Sequence, residues 1–145
     1  MALSDALSDP TTTQNLVADC VRLIDEQVAA KGGISGLALK AAYGVVKGIE
    51  PSYVSGAIRR LLPEALAALD SMWNEGIQLG DPVQHLIQNR DRTADTLLSV
   101  TDHKIEKAKN SVVRASYGKL RTSVKGDVEA AVPGLAQILG THIQS

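Results

Sequence analysis

The sequence predicts an all-α fold, a single domain built as a bundle or an orthogonal array of six to seven helices. Apolar residues recur at three- and four-residue spacing, and no segment shows the period of two that is typical of a strand. The apolar residues are mostly Ala, Leu, Val and Ile, with no Phe, one Trp and three Tyr, which favours helices. The 145 residues suffice for one core, so we expect one domain over 1–145, with 1–9 as a flexible N-terminal segment.

Capping signals place the first helices. Asp9-Pro10 and Asp81-Pro82 each combine an N-cap with a proline suited to the first helical position. Gly32-Gly33 is typical of a helix end, so the first helix is predicted between Pro10 and this glycine pair. A second helix is predicted over residues 35–48.

Prolines and polar residues place the later boundaries. A third helix opens at Pro51-Ser52, and Pro63-Glu64 either kinks it or starts a fourth, with the new start favoured. The helix that follows reaches the second Asp-Pro pair, from which the next runs until Thr101-Asp102 caps another. Pro133 leaves the last segment as one kinked helix or two short ones.

The charge distribution argues against nucleic acid as a partner. The formal net charge is −1, so no field over the whole chain attracts a polyanion. Residues 1–30 and 61–102 are acidic, whereas 31–60 and 103–145 are basic. Neighbouring blocks are therefore predicted to attract one another, either within the fold or across a dimer.

The expected location is the cytoplasm. The first residues lack a basic and an apolar signal region, and no apolar run approaches the ~18 residues of a membrane span, so export and integral insertion are not expected. Peripheral membrane contact stays open. Cys20 is the single cysteine and lies on an apolar helical face, which predicts a buried structural thiol in a reducing compartment.

No catalytic residue, metal site or cofactor is predicted. The chain lacks the nucleophile-elbow, phosphate-loop and dinucleotide-binding motifs. His85, His103 and His142 stand far apart, and none has a second histidine or cysteine at metal-ligand spacing. His142 falls on the apolar stripe of the last helix, where we interpret it as a core-edge residue with one hydrogen bond or, secondarily, as a ligand contact.

Glycines and alanines alternate with aliphatic residues in the second predicted helix. Because it is apolar nearly all round, the first interpretation is a buried central helix. The others are a helix on a lipid surface, with its lysines at headgroup level, and a self-association face built on glycine. The residues of these two interpretations are Gly36, Lys40, Gly44 and Lys47.

Two basic features complete the candidates. Arg90 falls within the apolar stripe of its predicted helix, so it needs a carboxylate partner or an opening to solvent, and it is a candidate anion or ligand contact. Lys107, Arg114 and Arg121 form a basic stripe, which Lys125 extends, and this stripe is either a solvated face or a dock for an acidic protein.

Several short motifs resemble a family of short bacterial proteins known only as a domain of unknown function. The resemblance implies a compact helical protein of the bacterial cytoplasm, and it implies no activity and no site residue. The motifs are Leu16-Val17-Ala18-Asp19-Cys20, Ala29-Ala30-Lys31-Gly32-Gly33, Ser35-Gly36-Leu37-Ala38, Arg60-Leu61-Leu62-Pro63 and Tyr117-Gly118-Lys119-Leu120-Arg121.

The leading functional hypothesis is a non-enzymatic helical binding or scaffold module that forms a homodimer or docks a protein partner. The alternative is a peripheral lipid or small-apolar-ligand binder that uses the second helix, which predicts vesicle binding or an aliphatic cavity between helices. An enzyme is the third hypothesis, and it requires a pocket that joins Arg90 to His85 or His142.

Overall fold

The computed structural model describes residues 3–33, 36–37, 40–41, 43–44, 48, 52–107 and 111–143. Within these ranges every regular element is helical, which confirms the all-α prediction. Among the elements whose bounds the described residues define, a 3₁₀ helix precedes five α-helices. Their bounds are Leu3–Ser8 for the 3₁₀ helix, Pro10–Ala30 for α1, Tyr53–Gln78 for α2, Pro82–Gln88 for α3, Arg90–Glu106 for α4 and Ser111–His142 for α5.

Both predicted Asp-Pro starts are confirmed. The Asp9 carboxylate accepts the Thr11 N–H at 3.2 Å, and the Asp81 carboxylate accepts the Gln84 N–H at 3.1 Å. Each aspartate thus satisfies a backbone donor that the first turn leaves unpaired, while the proline after it has no donor to lose. Gly80 ends the α2 region at φ +99°, a conformation that suits glycine.

Four helices form an antiparallel bundle, which decides between the bundle and the orthogonal array. Helices α1 and α4 each pack against both α2 and α5. Ion pairs show the chain directions: Asp19 with His142 and Lys31 with Asp127 join α1 to α5 in opposite senses. Glu64 with Lys104 and Glu75 with Arg92 do the same for α2 and α4. The short helix α3 packs against α2, α4 and α5 at one end.

The solid core lies at the end of the bundle that α3 covers. Its fully buried side chains come from all four long helices, from α3 and from the N-terminal 3₁₀ helix; they include Leu3, Leu16, Leu66, Leu69, Met72, Leu86 and Leu139. Within the N-terminal segment, the 3₁₀ helix packs on this core. Leu3 is 1% exposed and its N–H donates to Asp70 at 2.8 Å, so apolar burial and a hydrogen bond hold the segment against α2.

Two predicted helix starts are wrong. Helix α2 passes through Pro63 without ending, because Leu62 and Leu66 continue one buried stripe across the proline and their packing outweighs a lost backbone hydrogen bond. Helix α4 likewise continues through Thr101-Asp102 to Glu106. Asp102 serves the contact with α5 there instead of capping a helix. Pro133 also lies inside one helix, α5.

One helix boundary lies where a continuous helix was expected. Asn89 separates α3 from α4 with φ −109° and ψ 41°. Side chains add hydrogen bonds to the backbone carbonyls at this break: the His85 carbonyl accepts the Asn89 N–H at 3.1 Å and also the Asn89 side-chain amide at 2.8 Å. The buried Thr93 hydroxyl lies 3.1 Å from the Leu86 carbonyl and 2.9 Å from the Asn89 carbonyl. These bonds pair polar groups at the junction of α3 and α4, next to the core.

Much of the second predicted helix, Lys47 included, lies outside the described residues. The described positions 36, 37, 40, 41, 43, 44 and 48 are helical. Tyr43 ties this segment to α1, since its hydroxyl donates to Asp25 at 2.5 Å. Burial and the hydrogen bond to Asp25 raise the pKa of Tyr43 to about 12.

Candidate functional site

A cavity of about 810 Å³ lies between α1, α2, α4 and α5, at the end of the bundle opposite α3. The C-terminal half of α1 and the N-terminal half of α2 form two walls; the C-terminal half of α4 and the middle of α5 form the others. Volumes of about 300–1,000 Å³ are typical of small-molecule sites. The bundle is therefore solid at one end and hollow at the other.

The described walls of the cavity are almost entirely aliphatic. They carry leucine, isoleucine, valine and alanine side chains, and no aromatic side chain is among the described lining residues. These residues include Leu23, Ile24, Val28, Ile58, Leu61, Leu62, Leu97, Leu98, Val128 and Leu135. Flexible branched side chains of this kind suit an aliphatic chain, which needs dispersion contacts on all sides and no stacking partner.

The polar lining residues are Gln27, Lys31, Thr101 and Asp127. Lys31 caps the C-terminus of α1, and its ammonium group binds the Asp127 carboxylate of α5. The two side chains are 28% and 40% exposed, so this ion pair lies where the cavity meets solvent. The charges on the described wall thus neutralise one another at its edge.

Cys20 lies on the wall and is 8% exposed. Burial, with a smaller effect of the neighbouring Asp19, raises the pKa of the thiol to about 11. The thiolate, which is the nucleophile, is therefore scarce at neutral pH. This environment agrees with the prediction of an inert buried thiol.

His142 lies outside the cavity wall and bonds to Asp19. Its Nε2 is 2.5 Å from the Asp19 carboxylate, across the contact of α5 with α1. This bond, together with Arg22, holds the pKa of Asp19 below its ordinary value. The interpretation of His142 as a core-edge residue with a hydrogen bond is confirmed, and its contribution is to join the two helices.

We expect Asp19→Asn and His142→Gln to be coupled by about 1 kcal/mol in a double-mutant cycle on the free energy of unfolding, because the pair is largely shielded from solvent. The lowered Asp19 pKa stabilises the fold above the ordinary value of 3.8, and this stabilisation is lost as the pH falls through the folded-state pKa. Urea unfolding of the four proteins at pH 7 and pH 3 measures both effects. If the double variant at pH 7 loses as much free energy of unfolding as the two single variants together, the two residues are not coupled.

Arg90 is predicted to need either a carboxylate partner or an opening to solvent. Its side chain is exposed to solvent. The break at Asn89 takes Arg90 itself off the buried stripe, which continues beyond it with Ala94 and Leu98. Neither Arg90 nor any histidine is among the described residues of the cavity wall. The described residues therefore bring together no site of the kind that the enzyme hypothesis requires.

The basic stripe divides into an outward and an inward part. Lys107 and Arg114 are exposed, whereas Arg121 donates to Asp102 at 2.9 Å and Lys125 lies 2.6 Å from Asp91. The Asp102 pKa falls, chiefly through its hydrogen bond with Arg121. The acidic and basic blocks thus attract one another within the fold, at the contact of α4 with α5.

The candidate association face is also divided. Gly36 is buried, and an added Cβ would lie 2.3 Å from the Lys31 carbonyl oxygen, so this glycine packs against the end of α1. Gly44 and Lys40 are exposed, and within the described part of the chain no atom lies within 4 Å of a Cβ built on Gly44. Lys47 is outside the described residues.

One polar cluster escaped the sequence reasoning. His85 Nε2 lies 3.7 Å from Glu75 Oε2, and Arg92 also binds that carboxylate, at 2.9 Å. Both of these Nε2 and Oε2 atoms are buried, and no hydrogen bond joins them. Asp81, which precedes His85 by four positions, caps α3 instead. The turn at Gly80 brings Glu75 and His85 together, so only the fold reveals the contact.

Two further observations concern metal sites and membrane spans within the described ranges. They contain no group of three or more His, Cys, Asp or Glu side chains arranged to hold a metal ion. No helix within them is long and apolar enough to cross a membrane.

The fold and the site define a helical-bundle protein with an aliphatic cavity between its four long helices. The chain belongs to a family of unknown function, DUF6918, whose family pattern matches residues 3–143. This confirms the resemblance to a domain of unknown function. No curated protein matches the chain, and no solved structure matches it.

Proposed function

We propose that this protein is a non-enzymatic binding module that holds a small aliphatic molecule in the cavity between α1, α2, α4 and α5. The cavity of about 810 Å³ is the observation that carries the proposal. It is the aliphatic space between helices that the small-apolar-ligand hypothesis requires. An apolar space of this size, lined by side chains from four helices, is typical of a site that binds a small molecule.

The lining supports an aliphatic rather than an aromatic or ionic occupant. Its described side chains offer contacts to methylene groups on several sides, and each buried CH₂ contributes about 0.8 kcal/mol. Two of the polar lining residues, Lys31 and Asp127, form an ion pair at the edge of the cavity, which suits a molecule with one polar end.

A bacterial cytoplasm is the location that we propose with this function. The lone thiol of Cys20, free and buried, supports a reducing compartment. The family resemblance supports a bacterial source. Homodimer formation or docking of a protein partner, the leading hypothesis from the sequence, stays a prediction that the following experiment also addresses.

Filling the cavity is expected to abolish binding. Ala65 lines the cavity and is partly buried, so Ala65→Phe places a ring inside it, whereas Ala67→Phe places the same ring on the exposed face of α2. We expect 1-decanol to bind the wild type and Ala67→Phe, and to lose at least tenfold in affinity for Ala65→Phe. Isothermal titration calorimetry measures the affinity. Circular dichroism checks that each variant is folded, and Ala131→Leu is a second filled variant.

Cys20 provides an independent readout, because it is the only cysteine and lies on the cavity wall. We expect saturating 1-decanol to slow its modification by a methyl-thiosulfonate reagent, and Cys20→Ser to remove the signal. Sedimentation velocity follows the oligomeric state. The proposal is wrong if 1-decanol neither binds nor protects Cys20. A stable dimer that excludes 1-decanol would also contradict it, because a second copy would then occupy the cavity.

A further inference from the structure

The ion pair of Lys31 and Asp127 points to the kind of head group that the cavity accepts, an inference that rests on the proposed function. These are the charged residues among the described lining, and they come from two different walls, α1 and α5. Any amphiphile with its chain among the leucines and valines brings its polar end to the open, polar edge of the cavity, where this pair lies.

A charged head group meets a like charge at this edge. A carboxylate that takes the place of Asp127 on Lys31 leaves the Asp127 carboxylate beside a second negative charge. An ammonium group that binds Asp127 likewise leaves Lys31 beside a second positive charge. Either exchange breaks a pair whose members are partly withdrawn from water, at 28% and 40% exposure, so solvent relieves only part of the repulsion.

An uncharged head group avoids this repulsion. A hydroxyl can accept a hydrogen bond from the Lys31 ammonium group or donate one to the Asp127 carboxylate while the pair stays intact, since both groups have further bonding capacity. The Gln27 amide also lines the cavity, and it offers both a donor and an acceptor.

We propose that the ligand is an uncharged single-chain aliphatic molecule with a small hydroxyl-type head, and that Lys31 and Asp127 determine this head-group selectivity. The pair selects against both fatty carboxylates and alkylammonium ions. Removing one member of the pair frees the other, so the selectivity is expected to change in a direction set by which charge remains.

The test compares 1-decanol, decanoate and decylammonium, which share one chain and differ in head-group charge at pH 7. For the wild type we expect 1-decanol to bind about tenfold or more tightly than either ion. Asp127→Asn frees Lys31 and is expected to raise decanoate affinity at least tenfold, without a gain for decylammonium. Lys31→Gln frees Asp127 and is expected to do the reverse. Calorimetry measures all nine affinities.

The double variant Lys31→Gln/Asp127→Asn is the matched control, because it has no charge left and should still prefer 1-decanol. The comparison on the wild type needs no variant to fold. Decanoate or decylammonium binding to the wild type as tightly as 1-decanol would overturn the head-group inference and leave the cavity function standing. Unchanged ion preferences in both single variants would overturn it as well. Failure of all three probes to bind instead overturns the proposed function.

Discussion

Replacing Gly76 with alanine is expected to destabilise the protein by about 3 kcal/mol, because the new methyl group has no space between α2 and α3. A Cβ on Gly76 would lie 2.4 Å from the Cα of Pro82 and 3.0 Å from the Cβ of His85. The Cα of Pro82 is a backbone atom at the first position of α3, and the proline ring and the Asp81 cap fix it there. It therefore cannot rotate away from the new methyl group as a flexible side chain would. Urea unfolding measures the loss.

The matched control is Gly126→Ala on α5, where none of the described atoms lies within 4 Å of the added Cβ. Alanine is a better helix former than glycine by about 1 kcal/mol, so this change should leave the protein equally stable or more stable. Alanine at position 76 brings the same gain in helix propensity, which offsets part of the steric clash. A net loss of stability in Gly76→Ala therefore reports the close packing of α2 against α3. A Gly76→Ala protein as stable as wild type would mean that α2 and α3 do not approach so closely.

Local signals in the sequence predict the helix boundaries that depend on a single turn. The carboxylates of Asp9 and Asp81 cap their own helices within three residues, so their role does not depend on the rest of the fold. Pro63 shows where this reasoning fails. Its local preference is to start a helix, but the buried stripe that includes Leu62 and Leu66 is formed only in the bundle, and there it keeps α2 continuous.

The cavity could be predicted only in outline. Helical spacing places Cys20, Ile24 and Val28 on one apolar face, and they do lie together on the cavity wall. An apolar face packs a solid core or lines a hollow one with the same residue pattern, because the difference lies in the distances between helices. The ion pair of Lys31 with Asp127 joins residues 96 positions apart, which no local pattern indicates.

Truncating Leu86 to alanine is expected to cost about 3–4 kcal/mol, near the middle of the range for a fully buried leucine. Leu86 has 0% exposure and is the fully buried side chain of α3, a helix of seven residues. A helix this short is not stable alone, so its packing holds it in place. The Leu86 carbonyl also accepts from Thr93, so the turn into α4 should loosen with it. Urea unfolding measures the loss, and hydrogen exchange of α3 amides locates it.

The control for Leu86→Ala is the same substitution at Leu79, which is 73% exposed just after α2 and should change the free energy of unfolding by no more than about 0.5 kcal/mol. Similar losses at the two positions would mean that α3 does not anchor the closed end of the bundle. If Leu86→Ala lowers stability while 1-decanol affinity stays within about twofold, the solid and hollow ends are energetically separate. We expect that separation, because the Leu86 side chain packs in the core at the end opposite the cavity and is absent from the described wall.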